Sequence, residues 1–191
     1  MTAAPLLTTA RLLLRAPTPA MAPAVIDYQR RNAAHFKRWD PPCPADHNDP
    51  VAVAERLARG AQAFEEGSAY RYWFSRQESP EQLIGQAHLS QIARMAFQNA
   101  ILGYSLDAGA QGGGLMHEAL QAMVAQMFGP VRLHRIQAAV RPENDRSRAV
   151  LLRLGFEQEG LSRRYLFIDG QWRDHEVYAL LNPDWAPDQA P

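Results

Sequence analysis

The chain is short of several things at once, and each shortage closes off a class of function. It has one cysteine, Cys43, in 191 residues. An internal disulfide is thereby excluded, and a reducing, cytoplasmic compartment is expected. It has no net charge, because 20 basic residues balance 20 acidic ones. No global attraction to nucleic acid exists, and no direct nucleic-acid binding is expected. Long apolar runs are missing too. Nothing approaches the ~18 residues of a membrane span, and no basic-then-apolar leader is visible, so no membrane association is expected. The six histidines are scattered with no pair four residues apart, so no metal site is expected. Lysine is nearly absent: Lys37 is the only one, which reads as compositional bias.

What is present is the composition of a globular protein, 47% hydrophobic and 21% charged. One domain over residues 1–185 is expected, with a loose start at 1–7 and a disordered tail at 186–191. No repeat or linker divides it. Residues 11–15 read as a short strand and 20–33 as a helix. Asp49-Pro50 opens a second helix, Asp as cap and Pro in the first turn, and Gly67 ends it. Strands are expected at 70–75, 83–90 and 99–107, with a turn at 78–81, which makes an antiparallel meander. A helix from Leu115 to Met127 stops at Gly129-Pro130, and a strand follows at 135–140. Ser147 is expected to cap a helix ending at Gly155. A hairpin over 162–168 and 176–181 turns at Asp169-Gly170.

The informative stretch is Gly109-Ala110-Gln111-Gly112-Gly113-Gly114-Leu115, set between a strand and a helix. Glycines let the backbone approach an anion, and the free amides of the helix start point at it. The outer spacing is that of a P-loop, but Leu115-Met116 stand where that loop needs Lys and Ser/Thr. A dinucleotide fingerprint fails as well, since its third glycine would fall on His117. What remains is a cradle of backbone alone, suited to a diphosphate whose chemistry happens elsewhere. Strand, loop, helix and strand make a crossover, so the strands at 99–107 and 135–140 should be parallel neighbours.

Gln111-Gly112-Gly113-Gly114-Leu115 resembles the acetyl-CoA diphosphate loop of the GNAT N-acetyltransferases, whose pattern is Gln/Arg-x-x-Gly-x-Gly/Ala. Gly112 and Gly114 match; Gly109 replaces the leading Gln/Arg. Asn144-Asp145-Arg146-Ser147, Leu154-Gly155-Phe156 and the ending Tyr165 to His175 resemble the branch that acetylates N-termini of ribosomal proteins. The resemblance covers roughly residues 8–185. It implies an α/β (α+β) fold, a mixed and mostly antiparallel twisted sheet of about seven strands with helices on both faces. It implies direct transfer of acetyl from acetyl-CoA to a protein N-terminal amine, the N-terminal alanine of a ribosomal protein being the expected acceptor, by a monomer or homodimer.

On the same resemblance, Ser105, Leu106 and Asp107 would meet the pantetheine arm, and Gly109, Ala110, Gln111, Gly112, Gly113, Gly114 and Leu115 the diphosphate. Asn144 and Ser147 would complete the cofactor site and carry catalysis, Ser147 as proton donor to the sulfur or merely as a helix cap. Many relatives have a Tyr four residues before the Gly-Phe pair; here it is Leu151. A glutamate base proposed for the branch falls on Leu166, so the base is open, with Glu118, Glu159, Tyr104 and Asp169 as candidates by type. Trp39, Tyr104 and Tyr165 are expected to wall the acceptor site. The stretch Asn32 to Pro42, with His35 and Trp39, resembles the family segment between the first two helices that helps form that wall; it could equally be a helix end with Phe36 and Trp39 in the core. His175 is read as packing, Cys43 as a bystander. Two other functions stay open: acetylation of a small amine (a polyamine, aminoglycoside or amino acid), and a non-catalytic CoA-binding factor in ribosome assembly.

Overall fold

The computed structural model describes residues 6–186. The expected disordered tail therefore lies, from residue 187 on, outside the described residues. Strands β1 (Leu6–Thr8), β2 (Leu12–Arg15), β3 (Tyr70–Arg76), β4 (Ser79–Ala93), β5 (Asn99–Leu106), β6 (Arg135–Val140), β7 (Glu157–Ile168) and β8 (Gln171–Leu181) form one sheet in the order β1-β2-β3-β4-β5-β6-β8-β7. Eight strands replace the expected seven or so. The extra one is β1, which pairs with β2 and takes in part of what reads as a loose start. Helices α1 (Ala22–Phe36), α2 (Pro50–Glu65), α3 (Leu115–Phe128) and α4 (Asp145–Arg153) complete the fold.

Strand alternation places the helices on both faces. On β3, Tyr72 and Phe74 join a core with Leu115, Leu120 and Met123 of α3 and Leu151 of α4. The residue between them, Trp73, joins a second core with Val25 and Tyr28 of α1 and Val53 and Leu57 of α2. One strand thus anchors both layers because its period is two. Asp49 caps α2 as expected, its side chain accepting from Ala52 N at 2.9 Å.

Three boundaries differ from expectation. The β3–β4 turn takes only residues 77–78, because Arg76 already pairs with Ser79. The closing hairpin is longer, with β7 running from Glu157 and β8 from Gln171, joined by Asp169 and Gly170 at φ 50° and 74°. The cap of α4 is Asn144 and not Ser147: the Asn144 side chain accepts from Ser147 N at 3.1 Å. Ser147 lies one turn inside the helix, so its hydroxyl is released from capping.

β5 and β6 are the parallel pair, as the crossover requires, and they pair only from Asn99↔Arg135 to Leu102↔Ala138. Beyond that point β5 stays with β4 as far as Leu106↔Gly85, and β6 stays with β8 as far as Val140↔Glu176. The sheet therefore opens between residues 103–106 and 139–140. That slot leads towards the glycine loop at one side and α4 at the other.

Candidate active site

The loop is built from both ends. Asp107 N donates to Ile84 O at 2.7 Å, and Asp107 O accepts from Ala110 N at 2.9 Å. The Asp107 carboxylate accepts from Gly109 N and from the side chains of Arg31 and Asn32. Burial pushes its pKa up, but these bonds outweigh burial and hold it below the usual carboxylate range. Asp107 thus spends these groups shaping the 3-10 turn Ala108–Ala110. Ala110 and Leu115 are buried and pin the loop to the core.

Between those pins the backbone is bare. Gly112 and Gly114 adopt φ 84° and 75°, which side chains resist. A Cβ at Gly112 or Gly113 would meet no atom within 4 Å. Gly114 caps α3 with no side-chain acceptor. Backbone bonding into the helix starts with Glu118 N to Gly114 O at 3.1 Å. The amides of Leu115, Met116 and His117 therefore have no carbonyl of the helix to meet. With bare amides at a helix start and open space at Gly112 and Gly113, the residues present fit the diphosphate of acetyl-CoA.

Cations surround the loop. Arg11 donates to Gly113 O at 2.9 Å and pairs with Glu118 at 2.6 Å. Glu118, a candidate base by type, is committed there: burial raises its pKa, but bonds from Thr9 and Arg11 hold it low. Glu159 pairs with Arg135, and Asp169 with Arg173. Gln111 accepts from Arg146 through Oε1 and meets His35 Nε2 through Nε2 at 2.8 Å. The amide nitrogen can only donate, so His35 Nε2 accepts and its proton sits on Nδ1. Burial, then Arg146, lowers the His35 pKa, which keeps it neutral. Arg146 was not singled out from the sequence, and His35 was read only as part of a stretch expected to wall the acceptor site; the structure sets both beside the loop.

Beyond the cradle, in the open part of the sheet, Tyr104 and Ser147 meet. The two hydroxyl oxygens lie 2.6 Å apart, and Tyr104 OH also donates to Ser147 O at 3.2 Å. Burial pushes the Tyr104 phenol well above its ordinary range, the Ser147 bond opposing. Ser105 is turned the other way, 2.9 Å from Tyr28 OH.

Tyr104, Asn144 and Ser147 line a cavity of about 580 Å³, with Trp39, Tyr165 and His175 on other walls. Trp39 is held by Arg38 and Arg141, whose guanidinium carbons stand 4.7 and 5.3 Å from its ring centre. Phe36 packs on Tyr28 instead, ring centres 5.3 Å apart. His175 is buried, bonded from Nδ1 to Arg173 O at 3.0 Å, and packs on Tyr165. A second cavity of about 1020 Å³ lies between α1, α2 and β3–β4. The two adjoin and share Asp40, Pro41, Arg71, Gln86 and His88. Sequence reasoning placed only Asp40 and Pro41, within a stretch expected to help wall the acceptor site; the five come from three separate segments, the loop after α1, β3 and β4, and only folding assembles them. Cys43 lies on the rim of the larger cavity with its thiol pushed up by burial. Among the described residues no cluster of His, Cys, Asp and Glu could hold a metal, and no helix is long and apolar enough to cross a membrane.

Comparison with known proteins agrees with this geometry. The family described as Acetyltransferase (GNAT) domain matches residues 11–157. The [Ribosomal protein uS5]-alanine N-acetyltransferase of Escherichia coli K12 is 40% identical over 181 residues, 95% of this chain and 93% of that protein. The structure of ribosomal-protein-S5-alanine acetyltransferase from Vibrio fischeri superposes with TM-score 0.92 at 31% identity, over 96% of this chain and all of that one. RimJ of Mycobacterium smegmatis, in complex with CoA-disulfide, gives TM-score 0.86 at 28% identity, over 97% and 90%.

Proposed function

Because this chain belongs to the GNAT acetyltransferase family and is an acetyl-CoA-dependent N-acetyltransferase, we propose that its acceptor is the N-terminal alanine of a ribosomal protein. The observation that carries the reading is the 40% identity to a uS5-alanine N-acetyltransferase across nearly the whole of both chains. The cavities support it. The larger one, about 1020 Å³, exceeds what one small amine needs and has room for several extended residues. Such an acceptor is made in the cytoplasm, where the enzyme would meet it.

Acetyl-CoA supplies an activated acyl group and a thiolate leaving group. The chain's own residues do the rest. The amides at 112–117 and the nearby Arg11 and Arg146 hold the diphosphate, and the glycines admit it closely. The opened edges at 103–106 and 139–140 take the pantetheine amides by backbone bonding. Ser105 and Leu106 contribute edge and not side chain. Asn144 positions Ser147 by capping α4. Ser147 and Tyr104 hold a shared proton at the site where the thiolate develops, Tyr104 standing in for the phenol that Leu151 lacks. Trp39 and Tyr165 wall the cavity against water.

The test is direct. Purified enzyme and acetyl-CoA are incubated with peptides matching ribosomal-protein N-termini, and products are read by mass spectrometry. An Ala-initiated peptide is expected to gain one acetyl group on its α-amine. Turnover of polyamines or free amino acids in preference to every such peptide would refute the acceptor assignment.

A further inference from the structure

Acetyl transfer needs a group that removes a proton from the acceptor's ammonium, and none of the candidates by type is free. Glu118, Glu159 and Asp169 are ion-paired, and Tyr104 is bonded to Ser147. Among the described residues lining the cavity that holds the Tyr104–Ser147 pair, Asp40 is the only carboxylate. It also lines the larger cavity, and so stands where the two adjoin. Its side chain makes no hydrogen bond or ion pair with the described residues.

The sequence explains that freedom. An aspartate in a loop ordinarily accepts from backbone amides one or two residues ahead. Here those residues are Pro41 and Pro42, which carry no N–H. Asp40 N itself is spent on Phe36 O at 2.8 Å, closing the end of α1. The carboxylate is delivered to the cavity wall by a rigid turn that cannot satisfy it.

We propose that Asp40 is the catalytic base of this enzyme. The acceptor's ammonium, entering from the larger cavity, gives one proton to the Asp40 carboxylate. The freed lone pair forms the C–N bond to the acetyl carbonyl carbon as the C–S bond breaks. The Tyr104–Ser147 pair gives a proton to the departing sulfur and regains one from the acylated nitrogen. Asp40 then returns its proton to solvent, so one proton is released per turnover.

The other titratable groups around the cavities do not suit the task. From the end of α1, from α2 and from β3 come cations, Lys37, Arg56, Arg59 and Arg71. Arg141, after β6, is another. Burial pushes the phenols of Tyr28 and Tyr104 and the thiol of Cys43 up, towards their protonated forms. Burial, then Arg71, pushes His88 on β4 down to about 3, too weakly basic to hold a proton. His47 and His175 are also lowered by burial, and His175 Nδ1 is bonded to Arg173 O. Tyr165 is exposed and packs on His175. Burial moves Asp40 the useful way, up to about 6.

The inference rests on the reading that the chain acetylates an amine. Wild type, Asp40→Asn and Asp40→Glu are compared on an amine that the wild type turns over. Wild-type kcat/KM for the acceptor, which reports the free enzyme, should rise about tenfold per pH unit below pH ~6 and level off above it. Asp40→Asn should lose about 100-fold or more in kcat, its limb moving towards the α-amine's own value near ~8. Asp40→Glu should recover part of the rate with the acid limb. Without acetyl-CoA, calorimetry at pH ~6 in buffers of different ionisation heat should show acceptor binding release about half a proton from wild type, and none from Asp40→Asn. A wild type that acetylates no amine would overturn both readings. An Asp40→Asn enzyme with wild-type kcat and acid limb, or the same proton release, would overturn this one alone.

Discussion

Replacing Gly113 by valine separates binding from folding at the cradle. The residue's φ is not in the left-handed region, and a Cβ there meets nothing within 4 Å, so the fold should not register the change. The added isopropyl group instead fills space that the diphosphate needs. An amide-to-phosphate bond is worth ~1.5–3 kcal/mol, so losing one or two weakens CoA binding at least ~10-fold. The comparison is Gly112→Val, where φ is 84°. That variant carries backbone strain of ~1–2 kcal/mol as well, equivalent to a melting point lower by roughly 2–8 °C at this chain length. Calorimetric titration with CoA and thermal melts without it are the assays. Gly113→Val should lose affinity and keep its Tm, while Gly112→Val loses both. If Gly113→Val binds CoA like wild type, or melts as early as Gly112→Val, the loop is a structural turn and the cradle argument fails.

Tyr104→Phe and Ser147→Ala should each lower kcat ~10- to 100-fold, and the double variant should be little worse than the worse single one, because the hydroxyls act as one unit; fully additive losses would count against a shared proton. Asn144→Ala removes the α4 cap and should cost about 1 kcal/mol, read as a Tm lower by ~2–4 °C, with Asn144→Asp restoring most of it. Gly103→Ala would put its Cβ 2.5 Å from His88 Cε1, so the imidazole must move; melts should show a loss of ~1–3 kcal/mol, and acceptor KM should rise several-fold.

The fold was readable where one local rule acts alone. The aromatic-rich run at 70–75 read as β3, and Asp49-Pro50 marked the start of α2. Four glycines in six residues, opening an apolar helix, marked the loop between β5 and α3 and with it the parallel crossover. Reading failed where two residues offered the same chemistry. Asn144 and Ser147 are both good caps three positions apart; in the fold Asn144 takes the cap while the Ser147 hydroxyl meets Tyr104 of β5. β7 could not be bounded because it is a twelve-residue edge strand that buries almost nothing, so no burial period marks its start. The shared wall of the cavities, beyond the Asp40-Pro41 end of one stretch, was invisible for another reason. Asp40, Arg71, Gln86 and His88 carry no common spacing, and each looks like an ordinary surface or strand residue until the sheet and α1 bring them together.

A free base in a half-buried wall should leave a thermodynamic mark, and its sign is opposite to that of the other site carboxylates. Burial raises Asp40 from 3.8 to about 6, so the folded state holds its proton more tightly than the unfolded state does. Stability must then fall as pH rises through that window, and the deficit is complete above it. About two pH units correspond to ~3 kcal/mol at most, and solvent in the cavities should screen this to about 1–2 kcal/mol. Asp107 and Glu118, whose values are lowered by their bonds, do the reverse: they stabilise above the normal carboxylate range and lose that on acidification. The difference between wild type and Asp40→Asn cancels their contribution and isolates Asp40. The variant should melt roughly 2–8 °C higher than wild type at pH 8, and the gap should close as pH falls to 4. An Asp40→Asn protein less stable than wild type at pH 8, or a gap that ignores pH, would mean that the carboxylate has partners in solution and is not available as a base. The Asp-Pro-Pro turn then makes sense as a sequence that gives up stability for reactivity: it withholds the amides that would otherwise quiet the charge.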